Sequence, residues 1–266
     1  MQHSPWAAFE IALSCVSVFA LLAYFSAAFA QRSSSRGWSY WRTLSFTSGI
    51  LLLLIALLPS VVAYAHHDMR GHMAQHLLLG MLAPLGLVFG APVTLTLRSL
   101  SPRGGRTLVT FLRSRCIRFV GHPVCALFLN VGGMYVLYLT PLYAAMHESA
   151  ALHALVHWHF LVAGCLFTWA IAGPDPAPQR PDKSFRLLVL FVSIGAHAFL
   201  SKAMYAYGWP AGAHHSPEEI RAGAKIMYYG GDLAELLLVI ALFAGGFTRK
   251  PKSSRIYPKS ASTVPS

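Results

Sequence analysis

Imidazoles and thioethers are concentrated in one short run, His66-His67-Asp68-Met69-Arg70-Gly71-His72-Met73-Ala74-Gln75-His76, which leads into the apolar segment Leu77 to Leu97. On a helix turning by about 100° per residue, Met69, His72, Met73 and His76 fall within an arc of about 100°, so nitrogen and sulfur donors share one stripe. Such a stripe can hold a metal ion. Histidine with methionine suits soft Cu(I), and the imidazoles alone would also suit zinc or haem iron. The same residues also serve ordinary interfacial packing, because methionine fills gaps and histidine joins an apolar body to a polar edge. Farther along, His153 and His157 stand one helical turn apart on one face, while His159 points away from them. Two H-x-x-x-H pairs, each near the start of an apolar segment, make a shared site a stronger reading than either pair alone.

Other groups could support such a site. His197, Ser201 and Met204 recur along one face of a later segment, and Tyr228, Asp232 and Glu235 along one face of the last. Carboxylates within an apolar segment are costly and are by default functional or paired, so pairing with Lys202 or a histidine is the competing role. Asn130, Met134 and Tyr138 recur at four-residue steps, which suits a polar contact between helices. His122, just before Pro123, reads as a cap or turn residue. His147 and Glu148 read as surface residues, and His214 and His215, within Gly-Ala-His-His-Ser-Pro, as a mobile turn.

The segments that must position these residues belong to a membrane protein. Charged residues make up 11% of the 266, apolar residues 55%, and the mean hydropathy is +0.52; a soluble domain carries about 25% charged residues. A bilayer core takes about 20 apolar residues per helix. Stretches of that kind run over Ala7–Ala30, Thr43–Ala65, Met73–Leu97, Gly121–Thr140, Ala150–Gly173, Phe185–Gly208 and Ile226–Phe247. The expectation is an all-α, polytopic protein of seven transmembrane helices. It forms one domain over residues 1–248, followed by a basic, disordered cytoplasmic tail over 249–266. Pro84, Gly86, Gly90 and Pro92 in the third stretch predict a kink or a close helix contact.

The net charge of +12 bears on topology and does not call for a nucleic-acid partner. Arg32, Arg36 and Arg42 follow the first stretch, and six arginines from Arg98 to Arg118 follow the third. Arg180, Lys183 and Arg186 follow the fifth, and Arg249, Lys250, Lys252, Arg255 and Lys259 the seventh, so 17 of the 21 basic residues share one side. The positive-inside rule makes that side cytoplasmic, with the N-terminus outside and the C-terminus inside. Ala28-Phe29-Ala30 resembles the end of a signal peptide, yet Glu10 and the lack of Lys or Arg before it make the first stretch an anchor. Most of the arginines after the third stretch read as a solvated loop. Cys15, Cys116, Cys125 and Cys165 form no C-x-x-C pair and read as small core residues. Ligating groups gather in the outer half of the spans, above an apolar inner half, which favours a site open to the outside over a channel or pump. No phosphate loop or nucleophile elbow occurs, and an enzyme is not expected.

Several of these features occur together in order. His72-Met73-x-x-His76 enters a span with Ala83-Pro84 and Gly90-Ala91-Pro92; Leu97-Arg98, His122-Pro123, the pair His153 and His157, and Gly223-x-x-Ile226-Met227 follow. This series, spanning roughly Trp38 to Phe247, resembles the CtaG family of multi-span bacterial cytochrome c oxidase assembly factors. The resemblance implies a seven-helix protein of the bacterial inner membrane that matures a haem-copper oxidase and delivers copper. It carries His72, Met73, His76, His153 and His157 over as candidate metal ligands; Met69, His197, Asp232 and Glu235, read from helical spacing, would support them. The partners implied are oxidase subunits, a periplasmic copper chaperone and the lipid bilayer. In one departure, Glu219-Ile220 stands where the family pattern has Asp-Gln. Other readings stay open: a b-type haem electron-transfer protein holding iron with one histidine from each pair, a copper transport or resistance protein, and a metal-free scaffold.

Overall fold

The computed structural model describes residues 7–34, 37–177, 180–212 and 215–247, and among them every regular element is a helix. The first, α1 (Ala7–Arg32), is long and apolar. It is followed by α2 (Tyr40–Ala56) and α3 (Pro59–His67), which are bent by 56° from one another. The sequence predicts one continuous span here. Pro59 starts a new helix instead, because it has no N–H with which to extend the one before.

The third predicted span is α4 (Met69–Leu77), a π turn at Leu78–Leu82, α5 (Ala83–Phe89) and α6 (Pro92–Ser99). Pro84 withholds the N–H that a regular helix would give to the Gly80 carbonyl, and the π turn absorbs the break. The Gly80 carbonyl then faces Gly164, where any side chain would collide with it. The predicted close contact also occurs: Gly86 packs backbone to backbone with Gly49 of α2, and the Ser45 hydroxyl donates to the Gly86 carbonyl at 2.9 Å. The first free N–H groups of α6, on Val93 and Thr94, donate to the buried Asp175 carboxylate at 3.0 and 2.7 Å.

In the arginine-rich segment Arg98, Arg103, Arg106, Arg113 and Arg115 are exposed, as expected, but the segment is helical and not a loop. It forms two short helices, α7 (Pro102–Leu112) and α8 (Arg115–Val120), capped by Ser101 and Ser114, with Phe111 and Phe119 turned outward. Next come α9 (Pro123–Leu127), a second π turn at Phe128–Gly132 and α10 (Gly133–Leu139). His122 caps α9 by accepting from the Val124 N–H, as its place before Pro123 predicts. The chain then bends by 80° into α11 (Leu142–Glu148), a helix where the sequence suggests only a surface loop. Three long helices complete the fold: α12 (Ala150–Ile171), α13 (Lys183–Tyr207) and α14 (Pro217–Phe247). The last begins well before the predicted Ile226, because Pro217, Glu218 and Glu219 make a favourable first turn.

Among the described residues, five helical segments are long and apolar enough to cross a membrane, and the two bent pairs raise the possible number to seven. Large apolar side chains such as Phe19, Phe191, Phe199 and Ile240 face outward along them. That surface suits lipid and would drive association in water; this is a membrane protein. Inside, one core cluster surrounds Tyr138 and Tyr143 with six methionines, at positions 69, 73, 134, 146, 204 and 227. Another, toward the arginine-rich end, is built from Leu85, Phe167, Ile171, Leu190 and Leu242.

Candidate functional site

Asp68 makes the corner that begins the site. Its backbone is extended, its carboxylate accepts the Arg70 N–H at 2.8 Å, and it pairs with the Arg70 guanidinium. Gly71 lies against the Tyr64 backbone, so α3 and α4 meet closely. Helix α4 is buried nearly all round, and the single stripe read from the sequence is shared between two neighbours. Met69 and Leu77 abut Gly223 and Gly230 of α14. Met73, one turn from each, lies on the same row within the methionine core. His72 and His76 face Tyr138 instead.

Rings from distant parts of the chain come together here. His72 Nε2 shares a hydrogen bond of 3.1 Å with the Tyr138 hydroxyl, and its ring meets Tyr143 edge-on with centroids 5.0 Å apart. His153 stacks on His66 at 4.8 Å and lies against His157 at 4.1 Å. His147 is not a simple surface residue: the bend before α11 brings its ring within 5.7 Å of His66 and 6.4 Å of His72. His159 stays apart, as predicted, and donates to the Leu129 carbonyl in the second π turn at 2.9 Å. An open cleft of about 720 Å³, lined in part by Glu10, His66, His67 and His147, reaches this cluster from the surface.

The hydrogen bonds fix where two of the lone pairs lie. His157 Nδ1 is 2.9 Å from the His153 carbonyl, and His147 Nδ1 is 2.9 Å from the Tyr143 carbonyl. A carbonyl can only accept. Each Nδ1 therefore donates, which leaves Nε2 as the nitrogen able to offer a lone pair. His157 Nε2 faces Gln75 Oε1 at 3.3 Å, while the Gln75 amide nitrogen donates to the Ala56 carbonyl at 2.9 Å. Two acceptors thus face each other in a buried setting, an arrangement that becomes favourable when a proton or another cation stands between them.

Farther along the helices, polar groups go unsatisfied. His76 packs edge-on to Phe160 at 4.7 Å, and neither of its ring nitrogens has a hydrogen-bond partner. His197 makes no hydrogen bond either, but its Nδ1 lies 4.0 Å from Glu235 Oε1, and its ring fills the space above Gly231. Glu235 lines a cavity of about 20 Å³ with Asn130, Thr168 and Gly80, enough for about one water. Asp232 is only half-buried. Lys202 lies over the Tyr228 ring at 5.3 Å, so the partner facing Glu235 is the histidine.

The space available decides what could be held. The cavity bounded by His72, His76, His157, Leu79, Val156 and Phe160 measures about 10 Å³. That admits an ion or one water and no porphyrin, so a haem between the two histidine pairs does not fit. Among the described residues, no three His, Cys, Asp or Glu side chains converge as a ready metal centre. The arrangement offers imidazole pairs beside thioethers, including Met69, whose sulfur accepts from the Tyr143 hydroxyl at 3.5 Å.

His215 corrects another expectation, since it is packed and not in an open turn. It shares a hydrogen bond of 3.0 Å with the Tyr143 hydroxyl, and its Nδ1 is 3.6 Å from Glu219. Burial lowers its pKa from the ordinary histidine range, against the opposing pull of Glu219. His214 and the tail over 249–266 lie outside the described residues. Sequence reasoning did not assign Tyr138, Tyr143, Gln75, His66 and His147 to the site. The signal available for His66 was its place at the head of the histidine run, and for Tyr138 its shared face with Asn130 and Met134. Nothing local marks Tyr143 or His147, which depend on the bend.

The model of a family described as cytochrome c oxidase caa3 assembly factor (Caa3_CtaG) matches residues 22–248. Curated relatives include an uncharacterized protein of Mycobacterium tuberculosis, 34% identical over 212 residues, and one of Mycobacterium leprae, 32% identical over 203. The alignments cover 77% and 74% of this chain, but the chain spans only about a third of those relatives, 32% and 31%. No solved structure matches the chain.

Proposed function

The chain belongs to the cytochrome c oxidase caa3 assembly factor family, and from that premise we propose that it holds copper transiently and passes it to an assembling haem-copper oxidase. It does so from the bacterial inner membrane, crossing seven times with the N-terminus outside and the C-terminus in the cytoplasm, so the histidine end faces the periplasm. The carrying observation is the bare Nε2 of His157, fixed by the bond from Nδ1 to the His153 carbonyl and faced by a second acceptor, Gln75 Oε1. A backbone carbonyl on the opposite ring nitrogen is the usual companion of a metal-ligating histidine.

Copper is cargo here, and no substrate is turned over. Cu(I) tolerates low coordination numbers and favours thioether and imidazole donors, which suits paired rings beside buried methionines. His72, Met73, His76, His153 and His157 supply the donors, with Met69 beside them and His197, Asp232 and Glu235 in support. Entry runs through the cleft at Glu10 and His66. The receiving partners are oxidase subunits, and a periplasmic copper chaperone is the natural donor.

The test is anaerobic Cu(I) competition against a chromogenic chelator on purified full-length protein, with a visible spectrum taken alongside. We expect bound copper, no Soret band, and affinity at least about tenfold lower in His157→Ala, while His159→Ala stays near wild type. Copper bound equally well by His157→Ala, or no copper bound by the wild type, would overturn the proposal.

A further inference from the structure

The opposite end of the molecule carries a cleft that the copper proposal does not use. It measures about 780 Å³ and opens between the inner ends of α2, α5, α12, α13 and α14. Arg42, Arg180, Lys183 and Arg186 line it, with Asp182 as the one carboxylate among the lining residues. We propose that this cleft binds the phosphate of an anionic phospholipid, with an acyl chain lying along its apolar wall.

Two arrangements hold the cations in place. Arg180 donates to the carbonyls of Gly173, Trp169 and Asp175 at 2.7, 3.2 and 3.1 Å, and Arg186 donates to the Ile171 carbonyl at 2.5 Å. These carbonyls belong to the C-terminal turn of α12 and the loop after it, where orphan acceptors need donors. They are neutral and hold the guanidiniums at the rim. Lys183 lies over the Phe243 ring at 4.0 Å and Arg42 over Trp38 at 5.0 Å. The N-terminus of α13 adds partial positive charge at the same rim, and the Asp182 side chain does not cap it.

The other wall is apolar, formed by Phe89, Ala241 and Leu242. A cationic rim beside an apolar wall matches a lipid with a charged head better than a free ion or a peptide. The chain's own tail is a poor occupant, because Arg249, Lys250, Lys252, Arg255 and Lys259 would meet charge of the same sign. On the orientation proposed above, the cleft opens at the cytoplasmic leaflet, where anionic lipids attract basic sites.

The experiment uses full-length protein in nanodiscs of phosphatidylcholine containing a minority of phosphatidylglycerol. The readout is phosphatidylglycerol retained after transfer to detergent, counted by native mass spectrometry. We expect preferential retention of phosphatidylglycerol over phosphatidylcholine, reduced at least about fivefold in Arg42→Gln/Lys183→Gln, two changes that spare the carbonyl-bound arginines. Arg103→Gln/Arg106→Gln in α7 removes equal charge outside the cleft and should leave retention unchanged. Equal loss in both double variants, equal retention of the two lipids, or full displacement by inorganic phosphate at low millimolar concentration would each overturn the proposal. Copper affinity is read on the same samples, so failure here is separable from failure of the delivery reading.

Discussion

The two ends of this helical bundle treat their polar groups in opposite ways. At the arginine end, charged side chains complete the backbone: Arg180 and Arg186 satisfy the carbonyls ending α12, and Asp175 satisfies the N–H groups starting α6. At the histidine end, two acceptors, His157 Nε2 and Gln75 Oε1, face each other, and neither ring nitrogen of His76 or of His197 makes a hydrogen bond. A buried polar atom without a partner costs about 1–3 kcal/mol. Such atoms occur at the arginine end too, on Thr43, Arg118 and Trp169, but at the histidine end they sit on ligating rings whose bonding something outside the chain could complete.

That contrast can be broken at several points. The largest effect should come from Gly164→Leu, which drives a side chain into the Gly80 carbonyl and Pro84 and should cost about 3 kcal/mol or more. Thermal unfolding in detergent would show a large fall in midpoint or no folded protein. Asp175→Ala removes an acceptor from two backbone N–H groups and the Thr94 hydroxyl, at about 2 kcal/mol. It should lower stability while copper affinity is unchanged; a matching fall in affinity would mean that the two ends are coupled.

Gln75→Leu should act the other way, weakening copper binding about tenfold, or about 1.4 kcal/mol, through loss of the group that faces His157. Cu(I) competition checks it. The smallest effect concerns pH. His215 faces Glu219, His147 and Asp68, and its net pKa is lowered in the folded protein by burial. The unfolded chain therefore binds its proton first, and stability falls as pH drops through about 6.5. Unfolding midpoints at neutral and mildly acidic pH should differ less in His215→Gln than in the wild type.

Much of the fold is legible because apolar length dominates it: α12 and α13 begin and end within two residues of the predicted stretches. The breaks at Pro59 and after Leu139 were not legible as bends of 56° and 80°, since proline and short polar stretches mark an interruption without giving its angle. The histidine pairs were legible by helical spacing, and His153 and His157 do lie together. The division of α4 was not. A helix buried all round presents every face to some neighbour, and periodicity alone does not say that Met69 meets α14 while His72 meets Tyr138. His147 and Tyr143 enter the cluster only through the bend before α11.

The two π turns set the phase of the helices that carry them. A π turn accommodates one residue more than an α-helical path of the same length, so Leu78–Leu82 offsets His72 and His76 relative to Pro84 and everything after it. Forcing these same residues into regular α-helix, with none deleted, would rotate the histidine-bearing half by about 100° against the rest. Length, composition and hydropathy would not change. Which neighbours the two imidazoles see would change completely, so the insertion works as a rotational index, one residue wide, for the whole face of α4.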